Sequence, residues 1–503
     1  MLLELPRIPP SYLLTGAALA SAALVLSSFA GARYGLPGPK GYPVIGSLLD
    51  IRPYRQKLQT HTYFYEQSQI YGSIFEVTIM GMTLVIVVDA PSAKRILNTP
   101  AALVRDERVL SIFEGFSAKS LFLLSTAQGD AAWKRHRKSL QPAFSPTHLK
   151  RVFEATAEIV VHLEAAVRSS IQDKRSLNVF DIFQMLTIDV IGKVAFSENF
   201  NSVLSMVDEK AKNPKLVRVG QLINEMETVI VKRIEDPIKP LWSLRGYGHA
   251  DVERIASPIR EFLREIIESK KRAIDSSETK DEKDMDLLDR LLVGQGTKSE
   301  KFSDDEIMDE VFGFYFAGHE TTTNTLTWML YDLCQRPHIC DRIRQELREV
   351  LGNDRPLSWE DISSLIYLDA CVKETFRLHP IVCMLGRIAT EPVTVLGRTF
   401  PPGARLVVEI EALHRSELYW KSPEEYRPER FLEDEIVPGS FLPFGDGQHN
   451  CIGQKMAMIE IKVVMANILR HFNFTMTPNQ VIEPIQTVTH GLKNGLLIDF
   501  EHL

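Results

Sequence analysis

The stretch that most constrains this 503-residue chain is Phe444-Gly445-Asp446-Gly447-Gln448-His449-Asn450-Cys451-Ile452-Gly453, with an apolar run beginning at Met456. Three glycines in ten residues let the backbone turn at positive φ and come close to a flat partner, because no Cβ stands in the way. Cys451 lies just ahead of a segment (Met456, Ala457, Ile459, Ile461, Val463, Val464) whose spacing predicts a helix. Free N–H groups and the dipole at that helix N-terminus favour a sulfur anion. The loop therefore reads as a socket that presents a thiolate to the iron of a haem. An ordinary buried thiol is the alternative, since free cysteine is among the most buried residue types.

A second stretch suits the facing wall. Ser303-Asp304-Asp305-Glu306 is a capping box, and no proline follows until Pro337, so a helix of about thirty residues, or ~46 Å, is expected. Its centre is Ala317-Gly318-His319-Glu320-Thr321-Thr322. Ala317 and Gly318 leave room for a macrocycle and dioxygen, while Thr321 and Glu320 offer a hydroxyl and an acid for proton delivery. The bland alternative has Thr321 bonding back to a helix carbonyl and Glu320 standing on the surface.

Other features place less. Trp133 and Arg137, four apart, share a helix face, with Lys134, Arg135 and Lys138 forming a basic face elsewhere. Glu374 and Arg377 form an i,i+3 pair before Pro380, which alone is usually a surface pair. Runs from Ile74 and Leu84 flank Met80-Gly81-Met82, a hairpin signal. Phe113, Phe116, Leu121 and Phe122 are expected as a mobile apolar wall, or else as core. Leu149 to Asp236 is helical in spacing but carries no motif, and the mixed charges from Glu268 to Asp289, Lys270 among them, read as solvated.

A net charge of −7 and a pI near 6.1 exclude a basic nucleic-acid face. Five cysteines without paired spacing point to a reducing compartment. Ser11 to Ala32 is uncharged and as a helix would span ~33 Å, enough to cross a membrane. A cleaved signal peptide is the competing reading. Basic residues after the span place the body on the cytosolic side. Leu36 to Gly46 holds three prolines and reads as a semi-rigid tether.

The pattern Phe-x-x-Gly-x-x-x-Cys-x-Gly, filled by Phe444, Gly447, Cys451 and Gly453 with Gly445 added, resembles the haem loop of the cytochromes P-450, the haem-thiolate monooxygenases. Trp133 and Arg137 match the family's Trp-x-x-x-Arg, and residues 317–322 its oxygen-activating helix motif. Glu374, Arg377 and Arg430 match its structural charge network. The resemblance implies Cys451 as iron ligand, and Trp133, Arg137, Arg387 and His449 as propionate partners. It makes Thr321 and Glu320 the oxygen-activating pair, with Ile381, Val382, Met384 and Leu385 facing substrate. It implies a mainly α fold with a small β portion, the cytochrome P-450 fold, behind an N-terminal transmembrane helix. On this reading residues 1–35 are the membrane anchor, 36–47 the hinge and 48–503 the catalytic domain. The implied activity is oxygen insertion into a lipophilic small molecule, using dioxygen and electrons from an NADPH-dependent reductase that docks on the basic face. The location is the endoplasmic reticulum membrane. The nearest likeness is to eukaryotic microsomal members, fungal ones among them, that tailor terpenoid or other secondary metabolites. A fatty-acid hydroxylase and a haem-thiolate isomerase or dehydratase are the alternatives, and a haem-binding sensor or carrier is a third.

Overall fold

In the computed structural model, which describes residues 34–99, 103–126, 130–236, 238–276, 281–293, 301–352 and 355–503, the hairpin signal folds as the sequence suggests. Strands β1 (Ile74–Ile79) and β2 (Met82–Val87) are joined by Met80 and Gly81 alone. Both linking residues take positive φ, 47° and 78°, as a tight two-residue hairpin turn demands. The expected anchor from Ser11 to Ala32 lies outside the described residues. Among those described, no helix is long and apolar enough to cross a membrane. The proline-rich stretch after it is not a free tether, because Glu76 N–H donates to Pro37 O at 2.9 Å and Ser47 N–H to Thr78 O at 2.7 Å, which docks the stretch along β1.

Chain neighbours far apart in sequence complete the sheet. Strands β3 (Leu103–Val104), β4 (Met384–Ala389) and β5 (Arg405–Glu409) give the order β1-β2-β5-β4-β3. Only the β2–β5 pairing is parallel. Helix α1 (Thr60–Tyr71) leads into this sheet.

The rest is largely helical. Helices α2 (Ala131–Leu140), α3 (Pro146–Gln172), α4 (Val179–Ile191), α5 (Pro214–Glu235) and α6 (His249–Ser276) precede α7 (Asp304–Cys334). After it come α8 (Ile366–Leu378), the short α9 (Ile410–His414) and α10 (Gln454–His471). The capping box of α7 forms in both directions, with Ser303 N–H donating to Glu306 Oε2 at 2.8 Å and Glu306 N–H to Ser303 Oγ at 3.3 Å. At 31 residues α7 is buried along most of its length and on nearly all sides, which marks a beam through the core rather than an amphipathic surface helix.

Of the two readings of Phe113, Phe116 and Leu121, the core reading holds, since all three are buried in the main core. Two further expectations are corrected. Lys270 is buried against Asp286 and Asp289, so the mixed-charge run is not wholly solvated. Arg135 is tied to Glu306, which leaves only Lys134 and Lys138 of the basic face outward.

Glu374 and Arg377 are not a surface pair. Arg377 Nε and Nη2 donate to Glu374 Oε2 and Oε1 at 2.8 and 2.9 Å, and Arg430 Nε reaches Oε1 at 3.0 Å, with all three side chains 0 or 1% exposed. The guanidiniums then bond the carbonyls of His414, Pro423 and Glu425 (Arg377) and of Lys421 and Glu425 (Arg430) at 2.7–3.1 Å. Removing the carboxylate would strand two buried cations, which typically costs about 3–5 kcal/mol. Glu374→Ala should therefore lower the thermal midpoint by on the order of ten degrees or leave no folded protein. An unchanged midpoint by differential scanning calorimetry would show that the network carries little stability.

Candidate active site

The cysteine loop is shaped by its glycines and by partners on several elements. Gly445 and Gly447 have φ of 69° and 71°, and a Cβ on Gly447 would lie 2.5 Å from Leu97 O, so backbone approach there requires glycine. Asn98 Nδ2 donates to Asp446 Oδ2 at 2.9 Å, Leu442 N–H to His414 Nε2 at 2.9 Å, and Cys451 N–H to Phe444 O at 2.9 Å. Phe444 packs edge-on to Phe376 of α8 at 5.0 Å, which joins the loop to the buried charge network. α10 begins three residues after Cys451.

Burial pushes the Cys451 thiol up from its ordinary pKa, while the N–H groups of Gly453 and Gln454 and the Arg137 guanidinium pull it down. The helix start thus favours the anion as the sequence suggests, but burial outweighs it. Even so, Cys451 is exposed, unlike Cys340, Cys371 and Cys383, which are buried. A side chain accessible yet surrounded by protein opens onto interior space. Ala317 does the same from α7, where it is exposed between the buried Phe316 and His319.

Beside the loop gathers a set of cationic and donor groups, with the Asp130 carboxylate near His449 and accepting from Gln448 Nε2 at 3.2 Å. Trp133 of α2 is buried with its Nε1 lacking a partner, and its ring meets that of His449 edge-on at 4.3 Å. His449 Nδ1 is likewise buried without a partner. Burial, with Arg105, Arg387 and Arg137 nearby, lowers the His449 pKa to about 3. Arg387 is buried on β4, donates to Gly386 O at 2.9 Å, and has its pKa lowered to about 10 by burial. Among the described residues none of Arg105, Arg137 and Arg387 forms an ion pair. Arg137 instead grips Asn450, reaching its carbonyl at 2.9 Å and its Oδ1 at 3.0 Å, so it braces the cysteine loop directly.

Arg105 escaped sequence reasoning. It follows β3, whose pairing Leu103↔Ala389 and Val104↔Ile388 places the next residue opposite Arg387. Its guanidinium donates to the carbonyls of Leu121 and Phe122 at 2.9 and 3.0 Å. Burial, Arg387 and Arg137 lower its pKa to about 10. Like charges facing across a sheet are unfavourable unless an anion lies between them. The two carboxylates of a haem fit that need, so the residues present suit the group.

On α7 the small residues divide their work. A Cβ on Gly318 would lie 2.8 Å from the Ile191 side chain, so Gly318 serves the packing of α7 on α4, and Ala317 alone faces the open space. Thr321 Oγ1 donates to Ala317 O at 3.1 Å, the back-bonded arrangement. Glu320, however, is buried and not at the surface, with Oε1 accepting from Asn324 Nδ2 at 3.0 Å and Thr489 Oγ1 at 2.8 Å. Glu227 of α5, in a segment without motifs, lies beside it, and burial with the Glu320 carboxylate raises its pKa well above the ordinary value. Of the residues expected to face substrate, Val382 is exposed, Met384 and Leu385 are half-buried, and Ile381 is buried.

If Cys451 is the iron ligand, Cys451→Ser should abolish the strongly red-shifted Soret band of the reduced carbonyl adduct. Retention of that band in the variant would remove Cys451 from the site.

The cytochrome P-450 family model matches residues 36–497. Cytochrome P-450 4d2 of Drosophila melanogaster is 29% identical over 477 residues, covering 90% of this chain and 92% of the relative. Human cytochrome P-450 3A5 is 28% identical over 469 residues, with 92% and 89% covered, and human cytochrome P-450 4X1 is 32% identical over 389 residues, with 74% of each covered. A match of this extent, over a mainly helical body whose cysteine loop and donor rim suit a haem, means that the chain belongs to the cytochrome P-450 family of monooxygenases, enzymes that work with a cysteine-ligated haem.

Proposed function

We propose that this protein is a membrane-anchored monooxygenase of the endoplasmic reticulum that hydroxylates or epoxidises a lipophilic small molecule, with electrons from NADPH through a cytochrome reductase. The observation that carries the reading is the open Cys451 beside the donors of Trp133, Arg105, Arg387 and His449. When bound, the haem supplies the centre at which dioxygen is reduced and one oxygen atom is passed to the substrate. Cys451 would hold the iron, while Trp133, Arg105, Arg387 and His449 would take the two carboxylates. Arg137 holds the loop through Asn450.

Protons are the task of α7. The Thr321 hydroxyl, donating to Ala317 O, keeps its lone pairs free to accept a further hydrogen bond. Glu320, fixed by Asn324 and Thr489, is the buried acid one residue away. The apolar exposed side of the Val382 segment suits a substrate of little polarity. Residues 1–35 act as anchor and 48–503 as catalytic domain, with 36–47, docked along β1, as the link between them. Lys134 and Lys138 remain as the outward cations for a reductase. Placement in terpenoid or other secondary metabolism rests on the sequence resemblance to microsomal members.

Thr321→Ala should bind haem and accept electrons normally, yet yield less product per NADPH by at least about tenfold, the balance appearing as hydrogen peroxide. An unchanged product-to-NADPH ratio at normal haem content would remove Thr321 from proton delivery, and turnover without oxygen uptake would favour the isomerase instead. Supplying terpenoids and fatty acids to microsomes containing the protein, with product analysis, separates the two substrate classes.

Deletion of residues 1–32 should release folded, haem-loaded protein from membranes. If the shortened chain still resists a carbonate wash, another surface anchors it.

A further inference from the structure

We propose that His61, Cys383 and Glu411 form a buried zinc site apart from the haem. The three come from α1, the turn before β4, and α9, and their candidate ligand atoms all lie within 4.8 Å of one another. They are 2, 0 and 8% exposed. Cys383 is thus a different thiol from the accessible Cys451 of the glycine loop.

Chain partners satisfy the group only in part. His61 Nε2 faces Glu411 Oε2 across 3.8 Å, too far for a hydrogen bond, and stands 3.4 Å from Thr62 Oγ1, while the Gln486 side chain also hydrogen-bonds the His61 ring. Glu411 Oε2 and His61 Nδ1 are buried without partners. The other Glu411 oxygen has only Arg415 Nε, at 3.7 Å. Cys383 Sγ makes one weak contact, to Pro380 O at 3.3 Å. An unpartnered buried polar atom costs about 1–3 kcal/mol, and several lie together here.

A divalent cation answers this arrangement. One thiolate, one carboxylate and one neutral imidazole around zinc give a site of zero net charge, which low-dielectric surroundings tolerate. Mixed sulfur, nitrogen and oxygen ligands favour zinc over magnesium or calcium. Donor atoms around a tetrahedral zinc stand about 3.3–3.8 Å apart, so shifts of about 1 Å would close the present separation. His490 stands next to His61, outside the trio whose ligand atoms lie within 4.8 Å of one another. Its ring centroid lies 4.9 Å from that of His61, it is 3% exposed, and its Nδ1 is buried without a partner. Its ring also bonds the Pro380 carbonyl, which leaves Nδ1 as the bare nitrogen. Binding would displace the Cys383 proton to solvent and pin α1 to the sheet.

The test is metal analysis of the full-length, haem-loaded protein purified in detergent, incubated with zinc and desalted. About one zinc per chain is expected, with one sulfur at about 2.3 Å in the zinc-edge X-ray absorption spectrum. Cys383→Ser and His61→Gln should each lower zinc occupancy at least about tenfold while the carbonyl spectrum of the haem stays normal. Absence of stoichiometric zinc, a zinc spectrum without sulfur, or unchanged occupancy in both variants overturns the proposal. The absorption measurement uses the unaltered protein, so it decides even where a variant fails to fold.

Discussion

The carboxylate of Glu374 holds two guanidiniums in a place from which water is excluded, and much of the site's geometry hangs from that charge. Each ion alone would be expensive to bury, and the triad is tolerable only because the arginines also satisfy carbonyls from His414 to Glu425. Those carbonyls belong to a stretch with little regular structure of its own. From there His414 accepts the N–H of Leu442, and Phe376 on the same helix as Glu374 packs on Phe444. A chain of hydrogen bonds and ring contacts thus runs from the charge network to the loop that presents Cys451.

Electrostatics on the opposite side of that loop work by deficit. Arg105 and Arg387 face one another across a strand pair, His449 is held neutral by burial and its cationic neighbours, and Trp133 offers an unmet N–H. On the proposed reading the rim is a receptor for the haem carboxylates, and binding there offsets the cost of gathering like charges.

The long central helix joins the two. Gly318 lets α7 approach α4, and that approach leaves Ala317 and Thr321 beside the cavity while Glu320 turns toward Asn324 and Thr489. The acid and the hydroxyl, adjacent in sequence, therefore look into different surroundings.

Local chemistry determined what was legible in the sequence. The capping box at Ser303, the hairpin at Met80-Gly81 and the loop glycines are written in residues a few positions apart, so their geometry follows from steric and hydrogen-bonding rules of short range. Charge and burial depend on neighbours distant in the chain, and there tertiary structure decided. Lys270 reads as a surface charge because a sequence does not display the desolvation around it, and Glu374 is read as part of a structural network only through the family resemblance. Arg105 carries no local signal at all, since its role arises from a strand pairing nearly three hundred residues away. His61, Cys383 and Glu411 likewise become neighbours only when helix, turn and sheet close on one another. Short-range sterics can be read from the order of residues, whereas the dielectric and the partners each charge meets exist only after the chain has folded.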